Sequence, residues 1–97
     1  LEARGAGSLV ITSSTFEGNT AQFEGGAVFS RRDTTITGSS FTNNIAEGEG
    51  GAVYVDDADT TLVGVTFVRN RSLYATGGAL TAANGTVTST GSVWDGN

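Results

Sequence analysis

The side chains able to do chemistry in this 97-residue chain are ten carboxylates and five guanidiniums, with no His, Cys, Met or Pro among them. Lacking His and Cys, the chain has no Ser-His triad, no thiolate and almost no zinc chemistry. What is left is carboxylate and Arg chemistry, of the kind that polysaccharide lyases and hydrolases use. Glu24 and Glu49 each precede a Gly-Gly pair. Stacked one strand spacing apart, they would repel, raising one pKa or attracting a cation. A retaining glycosidase wants its two carboxyls about 5 Å apart. Asp56, Asp57 and Asp59 make an acidic turn whose oxygens suit calcium, although the spacing is not that of an EF-hand loop. Arg31 and Arg32 stand where they can neutralise that turn. A carboxylate beside a turn is ordinarily solvated, so these groups do chemistry only if the fold gathers them.

The fold is announced by repetition, which is the strongest signal in the chain. Phe16-Glu17-Gly18-Asn19, Phe41-Thr42-Asn43-Asn44, Phe67-Val68-Arg69-Asn70 and Trp94-Asp95-Gly96-Asn97 share an aromatic-x-x-Asn pattern, with the aromatics 25, 26 and 27 positions apart. Between them lie Gly25-Gly26-Ala27-Val28, Gly50-Gly51-Ala52-Val53 and Gly77-Gly78-Ala79-Leu80. The segments between motifs are short, rich in Thr and Val, and bounded by Gly, Asn and Asp, as strands are. No helical periodicity is present. Each unit has room for about three short strands and three turns. The reading is all-β: a parallel β-helix, or β-solenoid, of about four coils of 25–27 residues in one segment spanning 1–97. The coil motifs fall near 8–25, 26–50, 51–77 and 78–97.

In such a stack, equivalent residues become ladders. Phe16, Phe41, Phe67 and Trp94 form an interior aromatic column, each ring worth roughly 1.5–3 kcal/mol of burial. Ile11, Ile36, Leu62 and Ser89 form a second column, and Val28, Val53 and Leu80 a third. Asn19, Asn44, Asn70 and Asn97 are expected at a turn, where Asn tolerates left-handed angles and its amide bonds to neighbouring coils. Gly38, Gly64 and Gly91 mark another corner.

The same alignment assigns outward faces. Thr12, Thr37, Val63 and Thr90 form one column; Val10, Thr35, Thr61 and Thr88 form another beside it. If Ile11, Ile36 and Leu62 point inward, both Thr columns point outward. The arrangement is similar to the Thr-x-Thr arrays of β-solenoid ice-binding proteins; exposed Thr ladders also stabilise sheets modestly without binding anything. Phe29 and Tyr54, continued by Thr81, make an outward aromatic column able to meet a partner or a sugar ring.

Alternating Gly-Gly-Ala-[Val/Leu] and Phe-x-x-Asn motifs over residues 8–97 resemble the repeats of chlamydial polymorphic outer-membrane proteins and related bacterial surface proteins. The resemblance implies a right-handed parallel β-helix, an extracellular or cell-surface location, and adhesion or a structural stalk as the role. A host or cell-surface receptor would then be a partner. Proteins of that family also carry a signal peptide and a membrane-embedded barrel; neither is seen in these residues.

A net charge of −5 argues against a nucleic-acid partner, and no apolar run approaches the roughly 20 residues of a membrane-spanning helix. Residues 1–7 read as a poor cap, so the coil edges call for cover: the rest of a longer β-helix, or copies of the chain stacked end to end. Several residues of a coil would be missing where Asn97 meets the next Leu1. The expectation is therefore a non-enzymatic extracellular structural or adhesive segment without a cofactor. An ice-binding protein and a carbohydrate-active enzyme are its rivals.

Overall fold

The computed structural model describes residues 1–75 and 77–97. The described residues form fifteen short strands and no helix, laid down in a fixed rotation. The first circuit comprises β1 (Glu2–Ala3), β2 (Ser8–Thr12), β3 (Thr15–Glu17) and β4 (Thr20–Ala21). It is followed by β5 (Val28–Ser30), β6 (Asp33–Thr37), β7 (Ser40–Thr42) and β8 (Ile45–Ala46). The third circuit is β9 (Val53–Asp56), β10 (Thr60–Val63), β11 (Thr66–Val68) and β12 (Arg71–Ser72). The last is β13 (Leu80–Ala83), β14 (Val87–Thr90) and β15 (Val93–Asp95).

Every strand pairs in parallel with its equivalent one circuit away, giving four sheets: β1-β5-β9-β13, β2-β6-β10-β14, β3-β7-β11-β15 and β4-β8-β12. This is the β-solenoid that the repeat calls for, with four strands per coil where the sequence suggested three. The extra strand is the two-residue piece after the ladder Asn, too short to announce itself by alternation. Residues 1–3 also differ from expectation. They are no cap, because Glu2 and Ala3 pair with Phe29 and Ser30 as one more rung of the first sheet.

Register explains the drifting period. Ser30 faces Val55 but Thr34 faces Thr60, so the corner at Asp56–Asp59 holds one extra residue. Ala46 faces Ser72 but Val53 faces Leu80, so the next extra residue falls between 73 and 79. The strands stay in phase because the corners absorb the insertions.

Corners are made by left-handed residues. Gly38, Gly64 and Gly91 have φ of 58–62°, with Ser13 at 45° in the first coil. At the Asn turn the left-handed residue is the one before the ladder Asn: Gly18, Asn43, Arg69 and Gly96. The expectation that the ladder Asn itself takes this conformation is thus corrected. Its side chain lies along the stack, and the turn falls on its neighbour. In the double-Gly corner the two glycines do different work. Gly25 and Gly50 carry positive φ, whereas a Cβ on Gly26 or Gly51 would run into the carbonyl oxygen of the second glycine one coil on.

Inside, the predicted columns meet face to face. Phe16 and Phe41 stack at 4.8 Å between ring centres, Phe41 and Phe67 at 5.1 Å, and Phe67 and Trp94 at 4.3 Å, all within 10° of parallel. Phe41, Phe67, Ile36, Leu62, Val28 and Val53 are fully buried, while Trp94, at the open end, remains 46% exposed. Ser89 ends its apolar column on an exposed position of the last coil. A polar column also lies inside: the Thr34 hydroxyl bonds to Ser30 Oγ and to the Arg32 carbonyl. One coil on, Val55 replaces Ser30, and the buried Thr60 hydroxyl is left without a partner.

Phe41 therefore has a ring on each side and no exposure. Phe41→Ala is expected to cost about 3–5 kcal/mol in chemical denaturation through the cavity it leaves, and Trp94→Ala clearly less. A Phe41→Ala loss below about 1 kcal/mol would place the ring outside the core.

Candidate functional site

The interior ladder that most constrains the coils is the Asn column. Asn19, Asn44 and Asn70 each donate from Nδ2 to Oδ1 of the next Asn at 2.9 Å, and their backbone N–H groups donate to the same oxygens at 2.9–3.1 Å. Nδ2 of Asn44, Asn70 and Asn97 also donates back to the carbonyl of the aromatic one coil earlier, at Phe16, Phe41 and Phe67. Asn44 and Asn70 are buried, so the whole side-chain amide is used. Aspartate in its place would lose both donations.

The second sheet presents the Thr face. Val10, Thr35, Thr61 and Thr88 align rung on rung, as do Thr12, Thr37, Val63 and Thr90. Thr12, Thr37, Thr61, Thr88 and Thr90 are exposed and Thr35 is half-buried, while Ile11, Ile36 and Leu62 between the columns point into the core. The two columns expected from the sequence thus stand side by side on one sheet.

The first sheet carries the aromatic column. Phe29 and Tyr54 stack at 5.5 Å and 14°, both half-buried, with Thr81 next in register. Sequence reasoning missed the other end of this column. The Arg4 guanidinium lies over the Phe29 ring at 5.0 Å, a cation–π contact, and also pairs with Glu2. No motif marks residues 1–4, so the only available signal was their position in phase with residues 28–31. The Tyr54 hydroxyl is held above its ordinary pKa by burial first, then by the nearby carboxylates of Asp56, Glu49 and Glu24, with Arg31 opposing.

The acidic corner does not gather into a cation site. Asp56 pairs with Arg31 at 3.6 Å, Asp57 accepts from Asn84 Nδ2, and Asp59 accepts from the backbone N–H and hydroxyl of Thr86. The three carboxylates, whose oxygens would suit calcium if gathered, are turned to three different partners, and no group of three acidic residues among those described is placed to hold a metal. Arg32 leaves the acidic turn altogether, donating from Nε to the Arg4 carbonyl at 3.0 Å. Asp33 and Asp59 instead form a ladder of their own, since Asp33 Oδ1 accepts the Asp59 N–H at 2.9 Å.

A groove of about 450 Å³ opens at the first coil, beside residues 20–26 and Leu1. Glu24 lines it; Glu49 does not.

Fold and surface together define a parallel β-solenoid with polar and aromatic lateral faces. Residues 13–31 and 38–56 match the family model of the Chlamydia polymorphic membrane protein repeat. Each matched stretch contains one Phe-x-x-Asn and one Gly-Gly-Ala-Val motif, so the resemblance drawn from those motifs is shown at these two repeats. No curated protein and no solved structure matches the chain.

Thr86 holds the Asp59 carboxyl below its usual range through two donated hydrogen bonds. A depressed native pKa contributes stability that is present above the unfolded value, near 3.8, and lost as pH falls through the native one. Asp59→Asn is therefore expected to flatten the fall in denaturation midpoint below about pH 4. Parallel acid limbs in parent and variant would contradict the assignment.

Proposed function

We propose that the chain is a non-enzymatic structural or adhesive segment at a bacterial surface or in the extracellular space. It extends as a stiff rod by coil-on-coil stacking and offers its lateral faces to a receptor. The observation that carries this reading is that the ladders run to both ends of the stack. At one end β1 adds a rung to the first sheet; at the other, β13, β14 and β15 are edge strands and the Trp94 ring is half-exposed. The rest of a longer β-helix or a second copy meeting those edges would continue three of the four sheets, and a head-to-tail contact between copies without closure would give a filament. The repeat family points the same way: its members are outer-membrane and surface proteins without enzymatic activity.

The test is electron microscopy of the purified chain at rising concentration. Rods with a subunit repeat near 20 Å, four coils at the ordinary strand spacing of about 4.8 Å, are expected. Particles that keep the single-chain dimensions of 29 × 25 × 19 Å at every concentration would contradict self-stacking.

A second reading rests on the Thr face alone, whose two aligned columns resemble the Thr-x-Thr arrays of ice-binding β-solenoids. It requires thermal hysteresis in the parent chain and its loss in Thr37→Lys; a parent chain without hysteresis removes it.

A further inference from the structure

Asn84 and Gly85 lie in the corner between β13 and β14, and Asn84 is the one asparagine in the chain followed by glycine. The others are followed by Thr20, Asn44, Ile45 or Arg71, or stand at position 97. An asparagine side-chain amide is open to attack at its carbon by the backbone nitrogen of the next residue, once that nitrogen gives up its proton. A five-membered imide closes as ammonia leaves, and water then opens the ring at either carbonyl. Opening at one carbonyl leaves an ordinary aspartate. Opening at the other leaves isoaspartate, whose backbone runs through the former side-chain carbon. A side chain on the following residue obstructs the closure, and Gly85 has none.

We propose that Asn84 is a site of spontaneous deamidation, and that its conversion loosens the corner joining the third coil to the fourth. Access favours it, because Asn84 is exposed and so is Asp57, the corner residue one coil inward. The corner is therefore lateral, and it stays open to water whatever follows Asn97. Engagement favours it too. Asn44 and Asn70 are buried, and each Nδ2 donates both to the next ladder Asn and back to a Phe carbonyl. Asn84 Nδ2 instead donates to Asp57 Oδ1 at 3.1 Å, in an exposed contact for which water competes.

The consequence follows from what clamps this corner on both sides. Before it, the Asp57 N–H donates to the Ala83 carbonyl at 2.9 Å. After it, the Thr60 N–H donates to the Thr86 carbonyl at 2.8 Å, and the Thr86 N–H to Asp59 Oδ1 at 3.0 Å. Isoaspartate puts an extra backbone atom between these clamps. The corner has no slack for it, since even a Cβ on Gly85 would run into the Ala58 carbonyl oxygen. Either product also replaces the amide donor facing Asp57 with a carboxylate, which turns a hydrogen bond into a like-charge contact. None of this depends on whether copies of the chain stack.

The test incubates the folded whole chain in oxygen-labelled water at mildly alkaline pH, beside the same chain in denaturant. Ammonia release is expected, with label at residue 84 and at no other asparagine. The rate should climb with pH, because the attacking nitrogen must first lose its proton. Asn84→Gln should release no ammonia over the same period. In the converted chain, hydrogen exchange at the Asp57 and Thr60 amides should quicken several-fold. The Gly64 amide, bonded to the Thr90 carbonyl at the far end of the same strand pair, should exchange as before. A folded chain that stays unlabelled while the denatured one converts would overturn the site, as would ammonia released from Asn84→Gln at the parent's rate. Conversion that leaves exchange at Asp57 and Thr60 unchanged would overturn the loosening.

Discussion

Each interior side chain in this molecule packs chiefly against its own equivalent one coil away, and every other property follows from that constraint. Parallel pairing sets the rungs one strand spacing apart, which brings ring over ring and amide over amide. A residue that suits the column in one coil suits it in the next, so selection of a few residue types suffices for the whole core. That is how a chain with 37% hydrophobic residues and no disulfide builds a buried interior.

The constraint also assigns the costs. Repetition places like charges above one another on the surface, and the structure handles this by varying the corner residues while holding the strands fixed. Arg31 lies against Asp56, Asp57 against Asn84, and Asp59 against Thr86. Close approach of backbones at the double-glycine corner excludes any side chain there. The faces that the core leaves free are a Thr face on one sheet and a mixed aromatic and charged face on another.

The stack itself was legible from sequence because periodicity samples the same environment several times. Phe16, Phe41, Phe67 and Trp94, the Asn column, the inward apolar positions and the outward Thr columns all followed from their phase. Features without repetition were not legible. Arg4 over Phe29 comes from a stretch that carries no motif, and the two-residue fourth strand is too short to alternate. The acidic turn invited a calcium reading because charge density is visible in a sequence while the direction of each carboxylate is not. Likewise, the left-handed residue at the Asn turn changes identity from Gly to Asn to Arg, so its conformation is repeated while its chemistry is not. The unpaired Thr60 hydroxyl accompanies two changes that no single-column reading exposes: Val55 stands where Ser30 does one coil earlier, and the corner before Thr60 holds an extra residue.

Nuclear Overhauser contacts among the aromatic side chains interrogate the vertical pile most directly, since these residues are far apart in sequence and touch only if the coils are superposed. Cross-peaks linking Phe16 to Phe41, Phe41 to Phe67 and Phe67 to Trp94, with none joining Phe16 to Trp94, are what the superposed coils require. Rings that lack these three contacts, or that instead contact solvent-facing residues such as Thr37 and Thr61, would contradict the architecture and everything built on it.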